Sequence, residues 1–432
     1  MKFPGRRKLK HYFPVSQPKP ILPSIDVQPD KDTYIVGLDE TIVDVVANVS
    51  EQFLTQFKIQ KGLSNLVDAN TASAIYGELA AQECISDHFA GGTIGNTIHN
   101  YSVLADDKSV LLGVMSANIT LGSPAYHYIC HTSSKVDMNH LQGVAGDIGR
   151  GITLITPDGE RTFAIAPGDM DELDAQHIPE NIIAGSAALV TCAYPLRHQG
   201  KPIKQAMLAA LEYAHQHQVP TVLTLGTQHL VEENKDELLS LIKRHVNVLA
   251  MNELEAEALT GLSDPLQAAN QILEYVDIVL LTAGQDGMYL CGHTDDKVKR
   301  ETSNPIKSGS LADFNRWEFS RPMLRSACHN PIKVFSHIDP YMGGPEKIRN
   351  TNGAGDAALS ALLHDISANH YHKESLPNSS KHVAPFLAYS SFAQICKYAN
   401  RVSYEILVQN APRLSRGLPE REDSLEEAYW ER

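Results

Sequence analysis

The stretch that decides the fold runs from Asn350 to Leu363 and reads NTNGAGDAALSALL. Gly353 and Gly355 flank a small residue, so the backbone there can turn sharply and approach a ligand closely. The small and apolar residues that follow predict a buried helix with the glycines at its first turn. Amide groups left free at that turn, together with the positive end of the helix dipole, favour binding of an anion such as phosphate.

Asp356 lies within this stretch, although a carboxylate beside a phosphate is repelled unless it has a chemical task. The task that fits is accepting a proton from a hydroxyl that attacks the phosphate, which makes Asp356 a candidate general base. Gly-x-Gly-Asp also occurs in ordinary turns, and an Asp near a helix start is commonly a cap. The motif alone leaves both interpretations open.

Composition limits the class of protein. The chain has 432 residues, 43% of them hydrophobic, which predicts one large α/β domain with an appendage, or two domains. With 37 basic and 51 acidic residues the net charge is −14, which argues against a general nucleic-acid binder. We find no apolar run of about 18 residues and expect no membrane span. The six cysteines are scattered without a Cys-x-x-Cys pair, as in a reduced cytoplasmic protein.

Short β-branched segments alternate with helical patterns along much of the chain. This alternation predicts a mainly parallel central sheet covered by helices on both faces, with ligands at the carboxyl ends of the strands. We expect strands at 34–38, 110–115, 188–192, 221–225, 246–251 and 278–282, and helices at 201–217, 230–244, 253–259 and 265–275.

Residues 153–164 alternate apolar and polar side chains about a Pro-Asp-Gly turn, which predicts a β-hairpin. With residues 41–49 it would form a small β-sheet lid beside the main domain. The expected organisation is an N-terminal arm at 1–30, a main α/β domain at 31–410, lid segments at about 40–60 and 150–168, insertions at about 292–346 and at 369–381, a helical segment at 386–408, and a tail at 411–432 with residues 413–432 on the surface.

Another glycine motif, FAGGTIGNT, occupies residues 89–97 and is the first of the two along the chain, with GAGD at 353–356 the second. Paired glycines let the backbone lie against a ligand, and Asn96 offers both a donor and an acceptor. In this order, the motif at 89–97 and the GAGD at 353–356 resemble the ribokinase-like (phosphofructokinase B) family of carbohydrate and nucleoside kinases. The resemblance implies a three-layer α/β/α ribokinase-like fold with a β-sheet lid, ATP as phosphoryl donor and Mg²⁺ as cofactor.

The resemblance also implies roles for individual residues. Asp356 would be the catalytic base, beside an anion hole of Gly353, Ala354 and Gly355, while Thr282, Gly284 and Gly287 would bind the nucleotide and Asn252 and Glu255 would organise Mg²⁺. Substrate would contact Asp39, Thr41, Asp44, Gly91, Gly92, Thr93, Ile94, Gly95, Asn96 and Arg197. Three alternatives stay open: Asn252 and Glu255 could form a helix cap, Asp39 a solvated turn, and Arg197 a surface charge.

Segment lengths and the RGLPEREDSLEE run at 416–427 resemble the branch of the family that phosphorylates the purine nucleosides inosine and guanosine at the 5′-hydroxyl. A sugar or sugar-phosphate kinase and a nucleotide-binding regulator without catalysis stay open as alternatives. The family usually has Asp where this chain has Asn350, and many members bind a monovalent cation there, so K⁺ activation is also open. Lids of this family often pair, which allows a homodimer.

Overall fold

The computed structural model describes residues 26–197, 200–303, 305–307, 310–311, 313–341 and 348–418, so most of the expected N-terminal arm, part of the 292–346 segment and the end of the tail lie outside it. Its strands are β1 (Tyr34–Leu38), β2 (Ile42–Asn48), β3 (Ser64–Leu66), β4 (Ile85–Ala90), β5 (Lys108–Leu112), β6 (Val114–Ser116), β7 (Val136–Asp137), β8 (Gln142–Val144), β9 (Gly149–Ile155), β10 (Arg161–Ala166), β11 (Leu189–Cys192), β12 (Thr221–Thr224), β13 (Val248–Asn252), β14 (Ile278–Thr282), β15 (Met288–Asp295) and β16 (Pro331–Ile338). Its α-helices are α1 (Glu51–Gln56), α2 (Ala69–Ala81), α3 (Thr93–Ala105), α4 (Pro124–Cys130), α5 (Glu180–Ala184), α6 (Pro202–Gln216), α7 (Gln228–His245), α8 (Glu253–Thr260), α9 (Pro265–Ile272), α10 (Ala354–Ser375) and α11 (Phe392–Leu407).

The central sheet has the strand order β16-β15-β14-β13-β12-β11-β1-β5-β7. Neighbouring strands run parallel from β14 to β7, while β15 and β16 are antiparallel additions at one edge. Every residue of β1 and β11 is buried, as in a sheet covered on both faces. Helices α3, α10 and α11 pack together, and α5 to α9 form a second group. The predicted α/β fold with a mainly parallel central sheet is confirmed.

The lid is a separate sheet with the order β3-β10-β9-β2-β4. Strands β9 and β10 form the predicted hairpin, and β2 pairs with β9 in parallel. Along β2, buried residues (Val43, Val45, Ala47) alternate with half-buried ones (Ile42, Asp44, Val46). Helix α2 packs against β9 and β10. One lid face is therefore sealed, and the other carries Asp44.

The segment expected as an insertion at 292–346 is partly sheet. Strand β15 extends into it and β16 lies inside it, and the two pair antiparallel from Met288 opposite Ile338 to Asp295 opposite Pro331. Because β16 is an edge strand with several half-buried or exposed positions, its sequence lacks a continuous apolar run. Strand β16 therefore belongs to the central sheet, and the domain limits, including the insertion, stay predictions.

Three further boundaries differ from expectation. The helix α10 continues to Ser375, so residues 369–375 belong to it and not to an inserted loop. The final helix starts at Phe392, because Ser391 and Gln394 form a capping box that fixes its first turn. The strand expected at 110–115 is interrupted at Gly113, which separates β5 from β6.

Candidate functional site

The carboxyl ends of the parallel strands bring the predicted motifs to one edge of the central sheet. Asp39 follows β1, Tyr194 follows β11, Asn252 ends β13 and Thr282 ends β14. Because these strands are parallel neighbours, the residues that follow them line a shared edge, where open α/β sheets bind ligands.

The first glycine motif joins the lid to α3. Gly92 has φ of +85°, a conformation that favours glycine, and α3 begins at Thr93. The Asp39 carboxylate accepts hydrogen bonds from the amides of Ile94 (2.8 Å) and Gly95 (2.9 Å). Burial raises the Asp39 pKa to about 7, opposed by the Gly95 amide. Asp39 therefore caps α3 and fixes the glycine motif, which is a positioning task and not a solvated turn.

Asp44 differs from Asp39, because no hydrogen bond reaches its side chain from the part of the chain that the structure describes. A Cβ added to Gly91 would lie 2.5 Å from Asp44 Oδ2, and one added to Gly151 would lie 2.8 Å from Oδ1. The two glycines therefore make room for this carboxylate. Burial raises the Asp44 pKa to about 6, and the charge of Arg413 opposes the increase. Asp44 is the carboxylate most available to bind two hydroxyl groups.

The other predicted substrate residues divide into two groups. Thr41 is fully buried and its hydroxyl donates to the carbonyl of Val114 (2.6 Å), and the Ile94 side chain is also fully buried, so neither side chain faces the cleft. Arg197 forms an ion pair with the buried Glu40 and lies 4.7 Å from the Tyr194 ring centroid. Arg197 is therefore held at the strand ends, with 35% of its side chain exposed.

The second glycine motif meets the first directly. Gly353 has φ of +81° and caps α10, which begins at Ala354, so Asp356 lies in the first helical turn beside amides without intrahelical acceptors. Asn96 Nδ2 donates to Asp356 Oδ2 at 3.0 Å, across 260 positions of the chain. Burial raises the Asp356 pKa to about 7; the Asn96 bond and the Arg413 charge lower it, whereas the charges of Asp39 and Glu255 raise it.

Asn252 and Glu255 form a capping box at the start of α8. Asn252 Nδ2 donates to Glu255 Oε1 (2.9 Å), and the Glu255 amide donates to Asn252 Oδ1 (2.9 Å). Glu255 is only 4% exposed, and burial raises its pKa to about 7. Within the described ranges, no cluster of three or more His, Cys, Asp or Glu side chains could hold a metal ion. One buried carboxylate and one amide fit Mg²⁺ held mostly through water.

The predicted nucleotide loop follows β14 and lies beside this capping box. Gly284 and Gly287 both have positive φ (+49° and +86°), and a Cβ on Gly284 would lie 3.7 Å from Glu253 Oε1. A Cβ on Gly287 would lie 2.0 Å from the carbonyl oxygen of Ile338. The loop is therefore packed against β16 on one side and faces the first turn of α8 on the other.

Arg413 was not among the predicted site residues, and the expectation that it lies on the surface was wrong. It is 6% exposed; Nε donates to Asn96 Oδ1 (2.9 Å), and Nη2 donates to the carbonyl of Gly91 (2.9 Å). Leu414 is buried as well, and its amide donates to Asn100 Oδ1 (2.7 Å). The available signal was the polar spacing of Asn96, His99 and Asn100 on one face of an otherwise apolar helix. The expected surface positions beyond residue 418 lie outside the described residues.

Tyr194 was also missed. Burial raises the pKa of its hydroxyl, and the charges of Asp356 and Glu255 contribute to the increase. A Cβ on Gly226, which follows β12, would lie 2.9 Å from the Tyr194 ring. Tyr194 therefore lies just beyond the end of β11, near enough to Asp356 and Glu255 for both charges to act on its hydroxyl.

Asn350 occupies the position where an acidic residue was expected from the resemblance. Its Nδ2 donates to the carbonyl of Asn410 (2.9 Å), and its Oδ1 accepts from the amide of Asn352 (3.0 Å). This side chain therefore holds the second glycine motif against the C-terminal segment.

Within the described ranges, no helix combines the length and the apolar character that crossing a bilayer requires.

Comparisons with known proteins identify the family of the chain. Residues 129–310 match the model of the pfkB family carbohydrate kinases. A guanosine-inosine kinase of Escherichia coli (strain K12) is 56% identical over 436 positions, covering 100% of both chains, and the protein of that name from Escherichia coli O157:H7 matches equally well. An adenosine kinase structure from Sinorhizobium meliloti superposes with a TM-score of 0.63 at 19% identity, covering 89% of this chain and 97% of that one. A probable sugar kinase structure from Rhizobium etli CFN 42 gives 0.63 at 20% identity, with 89% and 96% covered.

The two structural likenesses, below 25% identity, establish the fold alone. The full-length relative at 56% identity establishes the family and the class of reaction, transfer of a phosphoryl group to a hydroxyl. The chain therefore belongs to the pfkB family of carbohydrate kinases.

Proposed function

We propose that this protein is an ATP-dependent purine nucleoside kinase that phosphorylates the 5′-hydroxyl of guanosine and inosine, giving GMP and IMP for purine salvage. The observation that carries the proposal is the Asn96–Asp356 hydrogen bond, because it joins the motif matched to sugar binding to the motif matched to phosphate binding. The choice of nucleoside is supported by the full-length identity to relatives named guanosine-inosine kinase.

The lid supports a nucleoside over a simple sugar. Phe89 lies opposite Asp44 in the β2–β4 pair, while Gly151 lies opposite Asp44 in β9 and opposite Ile165 in β10. Residues directly opposite each other share a face of the sheet, so half-buried aromatic and aliphatic side chains surround the Asp44 carboxylate. In our proposal Asp44 accepts hydrogen bonds from the ribose hydroxyls, and the apolar side chains contact the purine ring.

Asp356 would take the proton from the 5′-hydroxyl as that oxygen attacks the γ-phosphate of ATP. Its pKa of about 7 suits a general base at neutral pH, because both the ionised form and the affinity for a proton are substantial. The amides at the start of α10 would stabilise charge on the transferring phosphoryl group. The loop of Gly284 and Gly287 would hold the remaining phosphates and the ribose of ATP.

Mg²⁺, when bound near Glu255 and Asn252, supplies positive charge to the β- and γ-phosphate oxygens. Burial and the charge of Glu253 raise the pKa of the Glu255 carboxyl, and this is the environment that a cation would relieve. The lid would exclude water, which otherwise competes with the nucleoside as acceptor.

The test is an acceptor panel with saturating ATP and Mg²⁺, followed by ADP release. We expect guanosine and inosine to give the highest kcat/KM among guanosine, inosine, adenosine, ribose and fructose 6-phosphate. A higher value for ribose or fructose 6-phosphate would establish the sugar-kinase alternative. The absence of ADP release with all five acceptors would support the regulator alternative. The presence of both Asp356 and Glu255 speaks against that alternative.

Three finer expectations belong to the same proposal: a cytoplasmic location, a homodimer paired through the lids, and K⁺ activation. The lid edge strand β3 carries Leu66, which is 77% exposed and supports pairing. Asn350 adds no charge for a cation and already uses both side-chain polar atoms, so K⁺ activation stays open. Sedimentation tests for the homodimer, and a KCl titration at constant ionic strength tests for K⁺ activation.

A further inference from the structure

The C-terminal segment 410–414 contacts both glycine motifs. On one side, the Asn410 carbonyl accepts from Asn350, and a Cβ on Gly353 would lie 2.8 Å from both Cβ and the carbonyl oxygen of Pro412. On the other side, the segment lies along α3, where the Leu414 amide donates to Asn100 Oδ1. The segment therefore lies between the second glycine motif and the first.

The helix α3 devotes a polar face to this segment. His99 Nε2 donates to the Leu414 carbonyl (2.9 Å), while His99 Nδ1 accepts from the amide of Ser133 (3.0 Å), so one tautomer satisfies both bonds. Asn100 Nδ2 donates to the Pro412 carbonyl (3.4 Å). Buried polar groups with these partners fix the path of the backbone on either side of Arg413.

Arg413 is held on all sides. Besides its bonds to Asn96 and Gly91, Nη1 donates to Thr132 Oγ1 (2.8 Å), and the guanidinium lies 5.1 Å from the centroid of the Tyr128 ring. A guanidinium has five donors in a rigid plane and no acceptor. Whatever faces Arg413 Nε must therefore be an acceptor.

This requirement determines which way the Asn96 amide points. With Oδ1 facing Arg413, Nδ2 faces Asp356 and donates to its carboxylate. The opposite orientation would set Nδ2 against the guanidinium and Oδ1 against Asp356, so that both contacts become repulsive. Arg413 thus determines whether the carboxylate of the base meets a donor or an acceptor.

We propose that Arg413 is a positioning residue for phosphoryl transfer, which fixes the orientation of Asn96 and, through it, the position of the Asp356 carboxylate. The inference rests on the proposed function, in which Asp356 is the general base. Asn96, which the resemblance assigned to substrate, then acts as the link between Arg413 and the base. Of the charged groups that influence Asp356, Arg413 stabilises the carboxylate, whereas Asp39 and Glu255 oppose it.

The experiment compares Arg413→Gln and Arg413→Lys with Arg416→Gln, an exposed arginine three residues further along the same segment. Arg413→Gln should lower kcat about 10²-fold, the usual effect of misplacing a reacting group by about 1 Å, with the KM for ATP little changed. The acid limb of its pH–rate profile should move to higher pH, because Asp356 loses two stabilising influences. Arg413→Lys should recover part of kcat, and Arg416→Gln should match the wild type.

A wild-type kcat and pH profile in Arg413→Gln would overturn the assignment, as would a loss that is equal at every pH. If Arg413→Gln does not fold, Arg413→Lys, which keeps charge and bulk, decides by the same two readouts. At a pH above the acid limb, where the direct charge of Arg413 no longer matters, a double variant with Asn96→Ala should lose no more activity than Asn96→Ala alone. Multiplied losses at that pH would contradict action through Asn96. The assays use whichever acceptor the wild type phosphorylates, so failure of guanosine as a substrate contradicts the proposed function and leaves the Arg413 test intact.

Discussion

Four acidic side chains in the cleft illustrate how one residue type takes different tasks at the scale of single residues. Burial raises the pKa of Asp39, Asp44, Glu255 and Asp356. Asp39 is occupied by backbone amides and Glu255 by a capping asparagine, whereas Asp44 and Asp356 keep oxygen atoms that a ligand can reach. Position in the hydrogen-bond network, more than the carboxyl group itself, distinguishes a positioning residue from a binding or catalytic one.

The pH dependence of the reaction follows from the Asp356 pKa of about 7. A general base acts in its ionised form, so activity is present above this pKa and is lost as the pH falls through it. We expect kcat/KM for guanosine to fall about tenfold per pH unit below about pH 7. Because Asp39 and Glu255 also titrate near 7, the measured value belongs to the group of carboxyls. A flat profile from pH 5.5 to 8, in protein whose melting temperature is constant, would refute this role.

Gly92→Ala tests the contact between the first glycine motif and Asp39. Gly92 has φ of +85°, and its added Cβ would lie 2.5 Å from the buried Asp39 Oδ2. We expect destabilisation of about 1–3 kcal/mol from backbone strain, with a further loss of kcat/KM because α3 and Asn96 shift. Gly122→Ala is the matched control, since Gly122 has φ of +79° and open space around its Cβ position. Urea unfolding measures the backbone strain in both variants, and steady-state kinetics measure the shift of α3 and Asn96 that is expected only in Gly92→Ala. Equal kcat/KM values in the two variants would argue against the Asp39 contact.

At the scale of elements, parallel strands and helix starts assemble the site. Asn252 illustrates the principle, because its backbone ends β13 while its side chain caps α8 and donates to Glu255. The interpretations as a helix cap and as a metal motif are therefore not exclusive. The cap orients the carboxylate that the proposed Mg²⁺ would approach.

Asn252→Ala and Ser391→Ala compare two capping boxes, one at the cleft and one at the start of α11. Each variant should lose about 1 kcal/mol of stability with its cap. Only Asn252→Ala should also raise the Mg²⁺ concentration needed for half-maximal rate, because Glu255 loses the amide that orients it. Denaturant melts and Mg²⁺ titrations measure both effects. An unchanged Mg²⁺ requirement in Asn252→Ala would contradict a role of Asn252 and Glu255 in holding the metal.

The sequence predicted the elements whose pattern is strong and missed those set by tertiary contacts. Buried parallel strands such as β11 are continuous apolar runs, and both glycine motifs are local signals, so these could be identified directly. The edge strand β16 has too few buried positions to stand out. Arg413 follows a turn in a charged tail, and its burial depends on partners more than 280 positions away. Thr41 was expected to contact substrate, but its hydroxyl donates a hydrogen bond to the carbonyl of Val114, which is also a tertiary contact that the local sequence does not reveal.

At the scale of the whole molecule, the chain closes on itself at the cleft. The lid contributes Asp44, α3 contributes Asn96, α10 contributes Asp356, and the last described segment contributes Arg413. Residues from both ends of the chain therefore have to be in place before the site is complete. The proposed reaction requires this arrangement, because the first glycine motif would hold the nucleoside and the second would bind the phosphate.

The measurement that tests this account most directly is the turnover of Asp356→Asn with guanosine, ATP and Mg²⁺, beside guanosine binding by calorimetry. Asparagine keeps the size of the side chain but is a far weaker base, so we predict a kcat lower by roughly 10²–10⁴-fold with a dissociation constant for guanosine within a few-fold of the wild type. Turnover close to that of the wild type would contradict the account, because the carboxylate joining the two motifs would then have no part in the chemistry.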